Sequence, residues 1–278
     1  MAKDNSAAIV AETEKEGPQG ALARGLAVLK ALIAAPQPMT LGDVATAVKL
    51  DQSTTMRLLR SLEEAGHVIR TQSGKRYLAS PKALFPLPLL HPLALFRREA
   101  QPALDRLANT IKQTVVLVLF EDVHRVVIDI AQALGSLAPY YSPWLGGPIQ
   151  CSGSGKILLM SRDATGRREL LGQEPYEAST TASLLSFEEV EADIQAAIAR
   201  GYVVSRDEFR IGQTSIAAPF DSWDRKNVGC LVVTGLSRDL DEDRVEAVAA
   251  ELKSAAMLLP YQATGLRAAV QYLGGGPS

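Results

Sequence analysis

Ser53, Arg57, Arg60 and Glu64 recur every three or four residues, so on a helix they share one stripe. Thr55, Leu58, Leu59 and Leu62 fall at i, i+3, i+4 and i+7 and form an apolar stripe opposite. A helix seated on a small core by the apolar stripe turns two guanidiniums and a hydroxyl outward. That set suits phosphate and the base edges of a major groove. Gln52 and Thr54 stand at the N-terminal end of the same stretch, where a recognition helix meets bases. Lys75 and Arg76 sit at the tip of a candidate hairpin, within reach of phosphate or a minor groove. The competing reading is a solvated charged face on a small helical domain, and the surrounding elements decide between them.

Other residues invite enzymatic readings that fail on spacing. Gly155-Lys156 suggests a phosphate-binding loop, but Gln150 stands where its first glycine belongs and Ile157 replaces the metal-holding hydroxyl. Cys151 and Ser154 are candidate nucleophiles, yet no Gly-x-Ser-x-Gly elbow surrounds Ser154. His67, His91 and His124 fall in a hairpin, a linker and a turn, so none is an evident base. Asp207 and Glu208 are adjacent, and neighbours on a strand point to opposite faces. No catalytic set, cofactor motif or metal-ligand spacing emerges.

The elements that must position the basic stripe can be laid out from capping and periodicity. Gln19–Ala35 carries Leu22, Leu26, Leu29 and Ile33 at helical spacing, and Pro36-Gln-Pro38 stops it. Thr40 with Asp43 predicts a capping box for a short helix, Leu41–Val48. A turn over Lys49–Gln52 leads to a third helix, about Ser53–Ala65, ended by Gly66. His67–Thr71 and Arg76–Leu78 then flank Gln72–Lys75 as a hairpin. Helix, helix, turn, helix, hairpin is the plan of a winged helix-turn-helix.

The sequence predicts a Pro- and Leu-rich linker over 81–95, then a helix from near Leu93 to Lys112 that kinks or restarts at Pro102. Val115–Phe120, Arg125–Ile130, Tyr202–Ser205, Ser215–Phe220 and Val228–Thr234 read as strands. Gly153–Met160, Phe187–Arg200 and Asp239–Leu259 read as helices, the middle one capped by Ser186 and Glu189. The fold class is therefore α+β in two domains, the second built on an antiparallel sheet flanked by helices. The expected division is a disordered tail 1–17, a DNA-binding domain 18–80, a linker 81–100, a second domain 101–262 and a C-terminal tail 263–278.

Charge agrees with this division. The chain holds 29 Lys and Arg against 31 Asp and Glu, a formal net charge of −2, so it is no polycation. Residues 18–80 nevertheless carry eight basic side chains against four acidic ones. Two cysteines give no disulfide framework, which fits a reducing cytoplasm. No apolar run is long enough to span a bilayer.

Taken in order, six segments resemble the IclR family of transcription regulators, over about residues 20–260. In the first domain these are Arg24-Gly-Leu-Ala-Val-Leu, Met39-Thr-Leu-Gly-Asp-Val-Ala and the run Gln52 to Gly66. In the second they are Gly146 to Leu159, Gly201 to Gly212, and Ile216-Ala-Ala-Pro219. The resemblance implies a GAF-like effector domain, and homodimers or tetramers that bind palindromic double-stranded DNA. It also implies a small organic acid, often aromatic, as effector. Carried over by motif, the effector-binding positions are Gly153, Ser154, Ser205, Gln213, Ser215, Val232 and Thr234.

The amides at the helix start near Gly153 and Ser154 form an anion site, so a bound carboxylate needs no arginine. Ser205 replaces a frequent acidic residue, Ser215 a frequent cysteine and Val232 a frequent hydroxyl, which predicts a less acidic, more apolar pocket. Tyr140, Tyr141 and Trp144 either wall that pocket or pack in a core or dimer interface. The alternative function is an effector-independent DNA binder whose second domain serves only assembly.

Overall fold

The computed structural model describes residues 20–71, 75–80, 83, 91–136 and 147–273. The expected tail 1–17, the hairpin tip 72–74, residues 81–82 and 84–90 of the linker, and Tyr140, Tyr141 and Trp144 lie outside the described residues. Two compact units divide at Pro88 and Leu89.

In the first unit, helix α1 (Ala21–Ala34) precedes β1 (Met39–Thr40), α2 (Leu41–Ala47) and α3 (Gln52–Glu64). Strands β2 (Val68–Arg70) and β3 (Arg76–Ala79) follow. The predicted Thr40–Asp43 capping box is present on α2. Lys49 and Gly66 take positive φ, 55° and 78°, and reverse the chain on either side of α3. The hairpin is joined by a third strand that sequence did not suggest, because β1 pairs with β3 at Met39–Tyr77 and Thr40–Arg76. The core gathers Val28, Leu32, Val44, Val48, Leu59, Val68 and Tyr77.

Helix α1 departs from expectation. Its buried residues are Val28 and Leu32, whereas Leu22 and Leu26 are 78% and 52% exposed and Ile33 is also exposed. The helix is apolar on two sides, and α3 packs on the side where Gly25 stands, with Leu58 close by. Leu29 packs partly against the same core, so Leu22, Leu26 and Ile33 are the apolar residues left outward.

The second unit is built on five strands: β4 (Thr114–Glu121), β5 (His124–Ala131), β6 (Val203–Arg206), β7 (Gln213–Phe220) and β8 (Gly229–Leu236). They pair antiparallel throughout in the order β5-β4-β8-β7-β6. Alternation sorts β4 between two cores. Val115, Leu117 and Leu119 face helices α4 (Pro92–Ile111), α8 (Glu242–Gln262) and α9 (Leu266–Tyr272). Val116 and Val118 join Val232, Ile157 and Ala197 on the other side, under α5 (Gly153–Met160) and α7 (Phe187–Arg200). Helix α6 (Ala164–Leu171), absent from the sequence reading, lies between those two in the chain.

Two further differences have plain causes. Helix α4 continues through Pro102 without restarting, because Ala100 and Leu104 beside it are fully buried and burial outweighs one missing helix bond. The expected C-terminal tail contains α9, whose Leu266 and Ala269 are buried in the α4–α8 core. Seven residues are too few to show a clear period, so only packing reveals this helix. Leu266→Ala should cost about 2–5 kcal/mol in the unfolding of the second unit. An unchanged urea midpoint would show that α9 contributes nothing.

Candidate DNA-reading helix and effector pocket

The outward stripe of α3 is as the sequence predicts. Thr55 and Leu59 are buried, and Gln52, Ser53, Arg57 and Arg60 are exposed, with Thr54 half-buried. Asp51 caps the helix, accepting from the Thr54 amide at 2.8 Å and from the Ser53 hydroxyl at 2.6 Å. These bonds hold its carboxyl well below the usual carboxylate range. Ser53 thus spends its proton within the cap and presents only its oxygen outward.

Lys75 is exposed at the hairpin, but the Arg76 guanidinium donates to the Pro38 carbonyl at 3.0 Å and is tied back to the α1–β1 turn. Arg24 of α1 was missed: it shares a groove with Thr54, Arg57 and Ser61, which adds a cation beside the stripe. Its position four residues from a helix start carried no signal alone.

In the second unit, one pocket of about 80 Å³ is lined by Gly153, Ser154, Gln213, Ser215, Val232 and Thr234. Six of the seven positions carried over therefore converge. Period-two geometry explains why: Gln213 and Ser215 on β7, and Val232 and Thr234 on β8, share the sheet face under α5, and Ser215 pairs with Thr234. Ser205 is not among the lining residues. Its hydroxyl donates to the Cys151 carbonyl at 2.7 Å and is buried there, fastening the approach to α5. Its replacement of an acidic residue therefore says nothing of the pocket wall.

Four lining residues were missed: Val116, Arg125, Ser152 and Phe209. Arg125 matters most. It is 6% exposed, on β5 two residues from Val127, which packs on the same sheet face. Its Nη1 donates to the Ser152 hydroxyl at 2.7 Å and its Nη2 to the Gly147 carbonyl at 3.4 Å. Burial pushes its pKa down from the ordinary guanidinium range. Ser152 is the N-cap of α5, accepting from the Gly155 amide at 3.2 Å. A buried cation thus stands against the positive end of a helix dipole, and no carboxylate is among the described lining residues.

The helix-start amides are used differently from expectation. The Gly153 amide donates to the Ser215 hydroxyl at 3.2 Å, and the Gly155 amide to the cap. Among the described residues no acceptor meets the Ser154 amide. Arg125 and the Ser154 amide therefore line the pocket together at the start of α5.

The residues of the failed enzymatic readings have structural partners. Lys156, 1% exposed, pairs with Asp193 and Glu208 at 2.6 Å each. Asp207 instead accepts from the Ser237 hydroxyl and the Gly212 amide, so the adjacent carboxylates do diverge. His91 caps α4 and meets the Tyr272 ring edge-on.

Comparison with known proteins gives two family matches, IclR helix-turn-helix domain over residues 21–71 and Bacterial transcriptional regulator IclR C-terminal over 90–259. The Pca regulon regulatory protein of Pseudomonas putida is 31% identical over 206 residues, covering 71% of this chain and 68% of its own. The crystal structure of the Thermotoga maritima IclR superposes with a TM-score of 0.67 at 20% identity, over 91% of this chain and 98% of that one. An IclR homolog complexed with 4-hydroxybenzoate, from Microbacterium hydrocarbonoxydans, gives 0.62 at 20% identity, over 90% and 100%. No helix among the described residues is long and apolar enough to cross a membrane.

Asp51→Ala should lower the melting temperature of the N-terminal domain at pH 7. A depressed carboxyl contributes stability above its unfolded pKa and loses it as pH falls. The gap between wild type and variant should therefore narrow below about pH 4. A gap independent of pH would show that the cap acts without its charge.

Proposed function

The chain belongs to the IclR family of bacterial transcriptional regulators, and on that premise we propose that it is a regulator of a catabolic operon whose grip on DNA answers to a small organic acid. It is a DNA-binding regulator of transcription and not an enzyme. Helix α3 enters the major groove with Gln52, Ser53, Thr54, Arg57 and Arg60, while Lys75 and Arg76 flank it on the backbone. The exposed Leu22, Leu26 and Ile33 of α1 support assembly as a homodimer or tetramer, and the family membership supports a cytoplasmic regulator on a palindromic operator.

The observation that carries acid sensing is the buried Arg125 beside the Ser154 amide, over an apolar wall of Val116 and Val232. A carboxylate there gains two charge-assisted bonds in a site of low dielectric. The 4-hydroxybenzoate complex of a structural neighbour makes organic acids the rational probes. An acid that binds one arrangement of the oligomer better than another shifts operator affinity by that difference.

Two measurements follow, on an operator selected from random DNA. Arg57→Ala should lose about 1–3 kcal/mol of binding, and Lys75→Ala should flatten the salt dependence by about one ion. Wild-type affinity for Arg57→Ala would remove that residue from the interface. A panel of small acids should raise the melting temperature and change operator affinity, and Arg125→Ala should abolish both. Acids that bind without altering operator affinity would leave a second domain that serves assembly alone.

A further inference from the structure

We infer that Phe209 sets the upper size of the effector, so that the pocket accepts short-chain monocarboxylates and rejects ring acids. The inference rests on the acid-sensing reading and narrows it.

Space comes first. The pocket of about 80 Å³ is well below the roughly 150 Å³ in which a benzene ring fits a protein interior. Its cation and amide occupy one end, so a bound carboxylate leaves room for only a few carbons against Val116 and Val232. The limiting wall is Phe209. Its ring lies so close over Gly147 that a Cβ there would come within 2.8 Å of the ring edge. Gly147 at φ 80° also presents the carbonyl that accepts from Arg125. Gly147 therefore links the two lining residues from behind, packing under the Phe209 ring and accepting from the Arg125 guanidinium.

The wall is also held. Glu208 anchors the neighbouring position, its carboxylate accepting from Lys156 of α5 at 2.6 Å. Its carbonyl accepts from the hydroxyls of Ser183 at 2.9 Å and Thr180 at 3.1 Å. On the other side Asp207 accepts from the Gly212 amide at 2.8 Å and the Ser237 hydroxyl at 2.6 Å. The segment carrying Phe209 is thus tied to α5, to β8's exit and to the loop before α7. These bonds fix the backbone on which the ring stands. The Phe209 side chain itself is 42% exposed, so its truncation removes a wall and little of the core.

The test is calorimetric titration of the full chain with acetate, propionate and lactate against benzoate and 4-hydroxybenzoate. For the wild type we expect at least one short acid to bind ten-fold or more tighter than either ring acid. Phe209→Ala should shrink or invert that ratio by ten-fold or more, with Phe209→Leu between. A wild type that prefers a ring acid, or a ratio unmoved by Phe209→Ala, overturns the size limit while acid sensing stands. Silence for every acid overturns both.

Discussion

Helix α5 can begin where it does only because Gly153 and Gly155 carry no side chains, and the second domain's chemistry depends on that close approach. A Cβ at Gly153 would press on Ser215 and Ala217 of β7, and one at Gly155 would collide with the Ile149 carbonyl. With both absent, the helix start settles onto the sheet. Its first amide finds Ser215, its cap Ser152 reaches Arg125, and its Lys156 reaches Glu208 and Asp193. Each contact draws in a different element, so one packing constraint assembles floor, cation and wall together.

The same economy governs the first domain. Asp51 ends the turn, caps α3 and engages Ser53, so the bond that starts the helix also decides which polar groups face outward. The cations of the outer face do no structural work in α3 itself. Arg76 is the exception, tied to Pro38, and it combines a structural bond with an exposed charge.

Most of the fold was legible from local signals. The capping boxes at Thr40 and Ser186 and the glycine after α3 are short-range chemistry, and they stand where expected. The family resemblance singled out Gln213, Ser215, Val232 and Thr234, and strand alternation in the structure explains why they share one face. Signals failed where packing chooses between equals. Helix α1 offers two apolar sides, and packing in the three-helix core decides that Val28 and Leu32 are the buried ones. Helix α9 is too short for a period, and Pro102 is tolerated because its neighbours are buried.

What the sequence by itself determined is therefore the order of elements, the outward stripe of α3, the family and six of the pocket's lining residues. Only the tertiary structure decided that Arg125 and Phe209 line the pocket and that Ser205 does not. The reason is distance along the chain. Arg125 meets Ser152 across 27 residues and Ser205 meets Cys151 across 54, and no local periodicity encodes such partners. A pattern can say which way a side chain points, but what it points at is settled by the packing of segments remote in sequence.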